Sequence, residues 1–118
     1  MIKAAIDIGS NSVKLLVADV RSSRDIRVIL EKLALSRLGE GLSARRNLSR
    51  EAQDRTMAVL RLFIAVAKKR GAERLEAVAT AALRIARNAD LFLKRCRREL
   101  GLDVHVLSEK NEAFLSAA

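Results

Sequence analysis

Proline, tryptophan and tyrosine are absent from this chain, and cysteine and histidine occur once each. Cys96 has no partner for an intrachain disulfide. One Cys with one His cannot furnish a zinc constellation. Without proline, and with only five glycines, long disordered linkers are not expected. Aromatic residues are 3% of the chain, so its core must be built from Leu, Ile, Val and Ala. No apolar run approaches the ~20 residues a membrane helix needs. The apolar stretch behind Met1 is broken by Asp7 and a polar loop, unlike a signal peptide. These absences point to a reducing cytoplasm. Acidic residues are also scarce, 14 against 23 Lys and Arg, for a formal charge of +9. Such a field attracts polyanions such as polyphosphate, nucleotides or nucleic acid, although much of it can be plain solvated surface.

The most informative stretch is the first twenty residues. An apolar strand ends at Asp7-Ile8, passes through Gly9-Ser10-Asn11-Ser12 and re-enters a second strand at Val13. Gly9 lets the backbone approach a ligand closely because it has no Cβ. Ser10, Asn11 and Ser12 offer hydroxyls, an amide and successive N–H groups that can form an anion-binding nest. Asp7 at the strand mouth is a candidate carboxylate for a divalent cation. On local chemistry alone, an ordinary polar hairpin turn is the simpler reading.

Hydrophobic periodicity supplies the rest of the fold. Residues 3–8 and 13–20 alternate as two strands, with Ala4, Ile6 and Ile8 sharing a face of the first and Val13, Leu15 and Val17 sharing a face of the second. Residues 26–38 read as a third strand after a polar turn at 22–25, and 39–47 as a loop. Ser49 is placed to cap a helix over 50–70 that stops at Gly71. The expected apolar stripe of that helix is Met57, Leu60, Ile64 and Ala67, widened by Val59, Phe63 and Val66. Residues 74–79 form a short strand and 81–86 a short helix. Asn88 is placed to cap a further helix through Leu100, with Phe92, Cys96 and Leu100 on one face. Residues 103–107 make a last strand, and a helix is expected from about Glu109. This order predicts one α/β domain over 1–118, a mixed five-stranded sheet flanked by helices: a three-strand antiparallel meander plus two further strands.

Four segments in order resemble the exopolyphosphatase/guanosine pentaphosphate phosphohydrolase (Ppx/GppA) family. The sequence IDIGSNSVKLLVADV is similar to its first phosphate loop, and Ser36–Leu42 to its "RLGEGL" stretch. Ala77–Arg84 with Ala86–Asn88 resembles "VATxALRxAxN", and Val106–Ala113 resembles "ISGxxEA". The resemblance implies a ribonuclease-H-like domain of the actin-like ATPase superfamily. It implies hydrolysis of terminal phosphoanhydride bonds in polyphosphate or pppGpp with Mg²⁺. Gly9, Ser10, Asn11 and Ser12 would bind phosphate, Arg84 would contact substrate phosphate, Asp7 would serve the metal, and Glu112 would be the general base. Two departures stand beside Glu112: Glu109 where the family has Gly, and Asn111 where a second acid is expected.

Family enzymes carry a second, similar domain with a Gly-rich phosphate loop that has no counterpart here. The chain is therefore expected to be an N-terminal half with little turnover alone, lacking a C-terminal phosphatase domain. An unfinished apolar helix and an uncovered face favour a homodimer. The alternative reading is a non-catalytic polyanion-binding module. Nucleic acid is disfavoured as partner, because the basic Lys94–Arg98 run lacks interleaved aromatics for stacking. His105 and Cys96 are expected to be structural, and Thr80 to sit at a helix start as a cap or anion contact.

Overall fold

Alternating apolar residues build the first sheet layer. The computed structural model describes residues 1–108. Strands β1 (Ile2–Ile8) and β2 (Ser12–Ser22) pair antiparallel, with Ile8 opposite Val13 and Ile2 opposite Asp19. Strand β3 (Asp25–Leu35) completes the meander, with a register shift between Val17 and Ala18. Strand β4 (Arg74–Ala79) lies parallel to β1, and β5 (Val104–Val106) parallel to β4. The sheet order is β3-β2-β1-β4-β5.

Side chains alternate across a strand, so one face collects the apolar set. Ala4, Ile6 and Ile8 stand opposite Val17, Leu15 and Val13, so the apolar sets of the two strands share one sheet face, and all six are buried. The helices α1 (Leu42–Arg45), α2 (Arg50–Lys69), α3 (Ala81–Ile85) and α4 (Ala89–Leu100) contribute to the same core. Ile26, Val28, Leu33 and Leu35 remain exposed, and Leu16 and Leu33 line a depression of about 460 Å³ with Asp7 and Lys14. Among the described residues no helix is long and apolar enough to cross a membrane.

Helix α2 starts where its cap predicts: the Ser49 hydroxyl oxygen accepts the Ala52 N–H at 3.0 Å. Its buried face is Met57, Leu60, Phe63 and Ala67, whereas Ile64 is only half-buried. Buried Thr56 satisfies its hydroxyl by donating to the Ala52 carbonyl at 2.8 Å. Helix α4 buries Phe92 and Cys96 completely, as their four-residue spacing predicts. The Cys96 thiol lies 3.8 Å from the Met57 sulfur, and burial pushes its pKa up to about 12. Thiolate is the reactive form. Native protein at pH 8 should therefore resist iodoacetamide and become alkylated only in denaturant. Rapid native labelling would contradict this packing.

Three local readings are corrected. β3 ends at Leu35, not 38, because Arg37 takes a left-handed conformation (φ 50°) and turns the chain. The stretch 39–47 contains α1, entered through Gly41 at φ 74°. Asn88 precedes α4 without a side-chain cap bond. Instead its Oδ1 accepts the Leu48 N–H at 2.8 Å and its Nδ2 donates to the Leu48 carbonyl at 3.0 Å. An Asn amide carries the same donor–acceptor pair as a peptide, so Asn88 mimics one rung of a ladder. Beside it, the Arg87 N–H donates to the Arg46 carbonyl at 2.8 Å. Asn88→Asp keeps capping ability but replaces the Nδ2 donor with an acceptor facing the Leu48 carbonyl. It should destabilise the fold by about 1–3 kcal/mol, as should Asn88→Ala. A thermal melt in which the Asp variant equals wild type would restore the cap role.

Candidate phosphate-binding site

The carboxyl ends of the parallel strands β1, β4 and β5 gather at one edge of the sheet. There the Thr80 N–H donates to the Ile8 carbonyl at 3.2 Å, and the Leu107 N–H to the Ala79 carbonyl at 2.9 Å. In open α/β sheets ligands bind outside such strand ends. The loop Gly9–Ser12 emerges at this edge.

The loop is held by its carbonyls. Ser10 O accepts from Gly39 N at 2.9 Å, and Asn11 O accepts from Ser36 N at 3.2 Å and Arg37 N at 3.0 Å. A trans peptide points its C=O and N–H in opposite directions. No peptide here is cis. The Asn11 N–H therefore points away from Gly39. Among the described residues neither Ser10 nor Asn11 donates its N–H to a backbone oxygen. The Gly9 N–H is used internally, donating to Ser12 O at 2.9 Å. The cradle is thus narrower than the four-residue run suggests: the Gly9 N–H is spent inside the turn, while the peptides after Ser10 and Asn11 face their N–H groups away from the 36–39 turn.

Two glycines make this packing fit. A Cβ on Gly9 would lie 3.0 Å from the Ser12 carbonyl oxygen, and one on Gly39 would lie 3.1 Å from the Ser10 Cβ. The 36–40 turn is tied in turn to α2. Arg55 Nε donates to Ser36 O at 3.0 Å, and its Nη2 to Arg37 O at 3.2 Å and to the Glu40 carboxylate at 2.7 Å. Ser10, Asn11, Arg37, Gly39 and Glu40 line a cleft of about 390 Å³. Arg37, Glu40 and Arg55 were not singled out from the sequence, although "RLGEGL" was. The signal was the motif itself, whose turn braces the loop.

The remaining candidates fall around this edge. Arg84, exposed on α3, donates from Nη1 to the Leu107 carbonyl at 2.9 Å, so its guanidinium reaches the end of β5. Thr80 precedes α3 without a side-chain cap bond. Asp7 is opposite Lys14 in the hairpin register and lines the depression on the outer sheet face, not the Ser10–Asn11 cleft. Among the described residues no three His, Cys, Asp or Glu side chains cluster as a metal cage. Mg²⁺ commonly takes one or two carboxylates together with substrate phosphates and water. The donors present suit an ion shared with a bound anion better than a resident one. Glu109, Asn111 and Glu112 lie outside the described residues. His105 is exposed on β5. In the Lys94–Arg98 run, Arg95 bonds Asp54 at 2.7 Å and Glu99 at 2.8 Å, and Arg97 bonds Asp103 at 2.9 Å. Those carboxylates hold the Arg95 guanidinium above its usual pKa. The run is largely an ion-paired helix face.

A three-strand meander joined through helices to two parallel strands, with a Gly-Ser-Asn-Ser loop at the strand ends, defines a ribonuclease-H-like domain of the actin-like ATPase kind. The Ppx/GppA phosphatase family matches residues 16–118, and the chain belongs to that family. It is 39% identical over 111 residues to a guanosine-5'-triphosphate,3'-diphosphate pyrophosphatase of Photobacterium profundum. That match covers 93% of this chain and 22% of the relative. A crystal structure of the Aquifex aeolicus Ppx/GppA family member superposes with a TM-score of 0.89 at 37% identity. The superposition covers 95% of this chain and 36% of that one. An exopolyphosphatase from Cytophaga hutchinsonii gives a TM-score of 0.91 at 26% identity, covering 98% of this chain and 36% of that one. The chain therefore spans about a fifth to a third of the length of these relatives.

Proposed function

We propose that this chain is the N-terminal domain of a phosphohydrolase that cleaves terminal phosphoanhydride bonds of polyphosphate or pppGpp with Mg²⁺. The observation that carries the reading is the Gly9–Ser12 loop. Its Ser10 and Asn11 carbonyls are turned into the 36–39 turn, and its Ser10 and Asn11 N–H groups take no backbone acceptor among the described residues. Phosphoryl transfer needs mainly positioning and charge stabilisation. In this reading the loop amides and hydroxyls bind the terminal phosphoryl oxygens. Arg84 adds a guanidinium fork suited to two oxygens at once. Glu112 takes the proton from the attacking water, and a magnesium ion offsetting phosphate charge would have Asp7 as its carboxylate, offered from the depression that Asp7 shares with Lys14. The opposite wall of the cleft comes from a second domain, and the assembled enzyme works in the cytoplasm. The non-catalytic alternative, a polyanion-binding module, is favoured by the Glu109 and Asn111 departures beside Glu112, with the +9 charge to attract its ligand.

Polyphosphate chain-shortening with Mg²⁺ tests the reading on this chain and on a longer one carrying the next in-frame domain. Activity only in the longer chain, abolished by Glu112→Gln, is the expected result. Activity in neither, with salt-sensitive polyphosphate binding retained, would leave the binding module.

A further inference from the structure

We propose that Arg37 is a phosphate-contacting residue of the same cleft, held there by Arg55, which also withdraws the charge of Glu40 from it. The proposal rests on the phosphate-cradle reading of the Gly9–Ser12 loop. Arg37 has φ 50°, a conformation that favours glycine, yet the position carries the longest cationic side chain. Strain of this kind persists where the surrounding structure fixes it, and it collects at functional sites. Three bonds do the fixing. The Arg37 N–H donates to Asn11 O, its carbonyl accepts from Arg55, and the adjoining Ser36 carbonyl accepts from Arg55 as well.

The charges are arranged to match. Glu40 lines the cleft with Ser10, Asn11 and Arg37, and would repel a phosphate there. Arg55 binds that carboxylate at 2.7 Å. Among the described residues Arg37 makes no ion pair, although Glu40 shares its cleft. The cleft therefore offers one uncompensated guanidinium beside the loop amides, an arrangement for a second phosphoryl group of a polyanion.

The test is calorimetric titration of the 118-residue chain with polyphosphate at fixed ionic strength. Arg37→Gly removes the guanidinium and relieves the strained backbone, so affinity should fall about tenfold while the melting temperature holds or rises. Arg37→Lys should recover part of the affinity. Lys69→Ala, at the far end of α2, removes the same charge and should change affinity less than about twofold. Arg55→Ala should weaken binding, and adding Glu40→Gln should restore part of it, whereas Glu40→Gln alone should have little effect. Arg37→Gly behaving like the Lys69 control overturns the proposal alone. Failure of Glu40→Gln to restore binding overturns the part assigned to Arg55. No binding by the unaltered chain overturns the cradle reading and this proposal with it.

Discussion

Phe92→Ala is expected to remove about 3–5 kcal/mol of stability, the typical cost of emptying a buried aromatic site. Phe92 is fully buried on α4, one turn before Cys96, which meets Met57 of α2. The core around it contains no Trp or Tyr, and only three Phe exist in the chain. The core cluster it belongs to is largely of short or branched side chains, among them Ala89, Leu83 and Leu102. None can swing into a cavity of that size without leaving another. Domains of this size hold only about 5–15 kcal/mol in total. The variant should therefore be largely unfolded on modest warming. A urea titration reads this as a lowered midpoint with unchanged slope. A loss below about 1 kcal/mol would mean that α4 does not close the core as described.

Gly9→Ala should cause the second large loss, in binding rather than folding. Gly9 does not adopt a positive φ, so its dihedrals would accept alanine. The obstacle is space, because the new methyl would sit 3.0 Å from the Ser12 carbonyl oxygen. That oxygen belongs to the backbone and already accepts the Gly9 N–H at 2.9 Å. It cannot rotate away as a side chain would. Overpacking of this kind costs about 1–3 kcal/mol, and the strain falls on the peptides that carry the Ser10 and Asn11 N–H groups. Polyphosphate affinity should drop about tenfold or more while the far-ultraviolet spectrum stays native. Unchanged affinity would mean that the loop is an ordinary turn and the phosphate contacts lie elsewhere.

Much of the fold was legible because it follows from short-range rules. Alternation placed Ile6, Ile8, Val13 and Leu15 on the buried face, and Ser49 marked the start of α2 through its hydroxyl. The readings that failed have a common cause. Leu33 and Leu35 continue the strand pattern, but Arg37 reverses the chain in a conformation that no pattern announces for arginine. Asn88 satisfies the rule for a cap while its amide pairs with a segment forty residues away. The site divides the same way. The Gly9–Ser12 loop and Arg84 were legible from motifs. The wall of Arg37, Gly39 and Glu40 depends on Arg55 reaching back from α2, a tertiary contact invisible in local sequence.

The most direct measurement is a polyphosphate titration of isotope-labelled chain, followed through its backbone amide resonances at constant salt. If the loop is a phosphate cradle, the largest shifts fall on Ser10 and Asn11, with smaller ones at Arg37, Gly39 and Thr80–Arg84. Shifts spread over Lys68–Arg70 and Lys94–Arg98, with the Ser10 and Asn11 amides unmoved, would contradict it and leave only a basic surface.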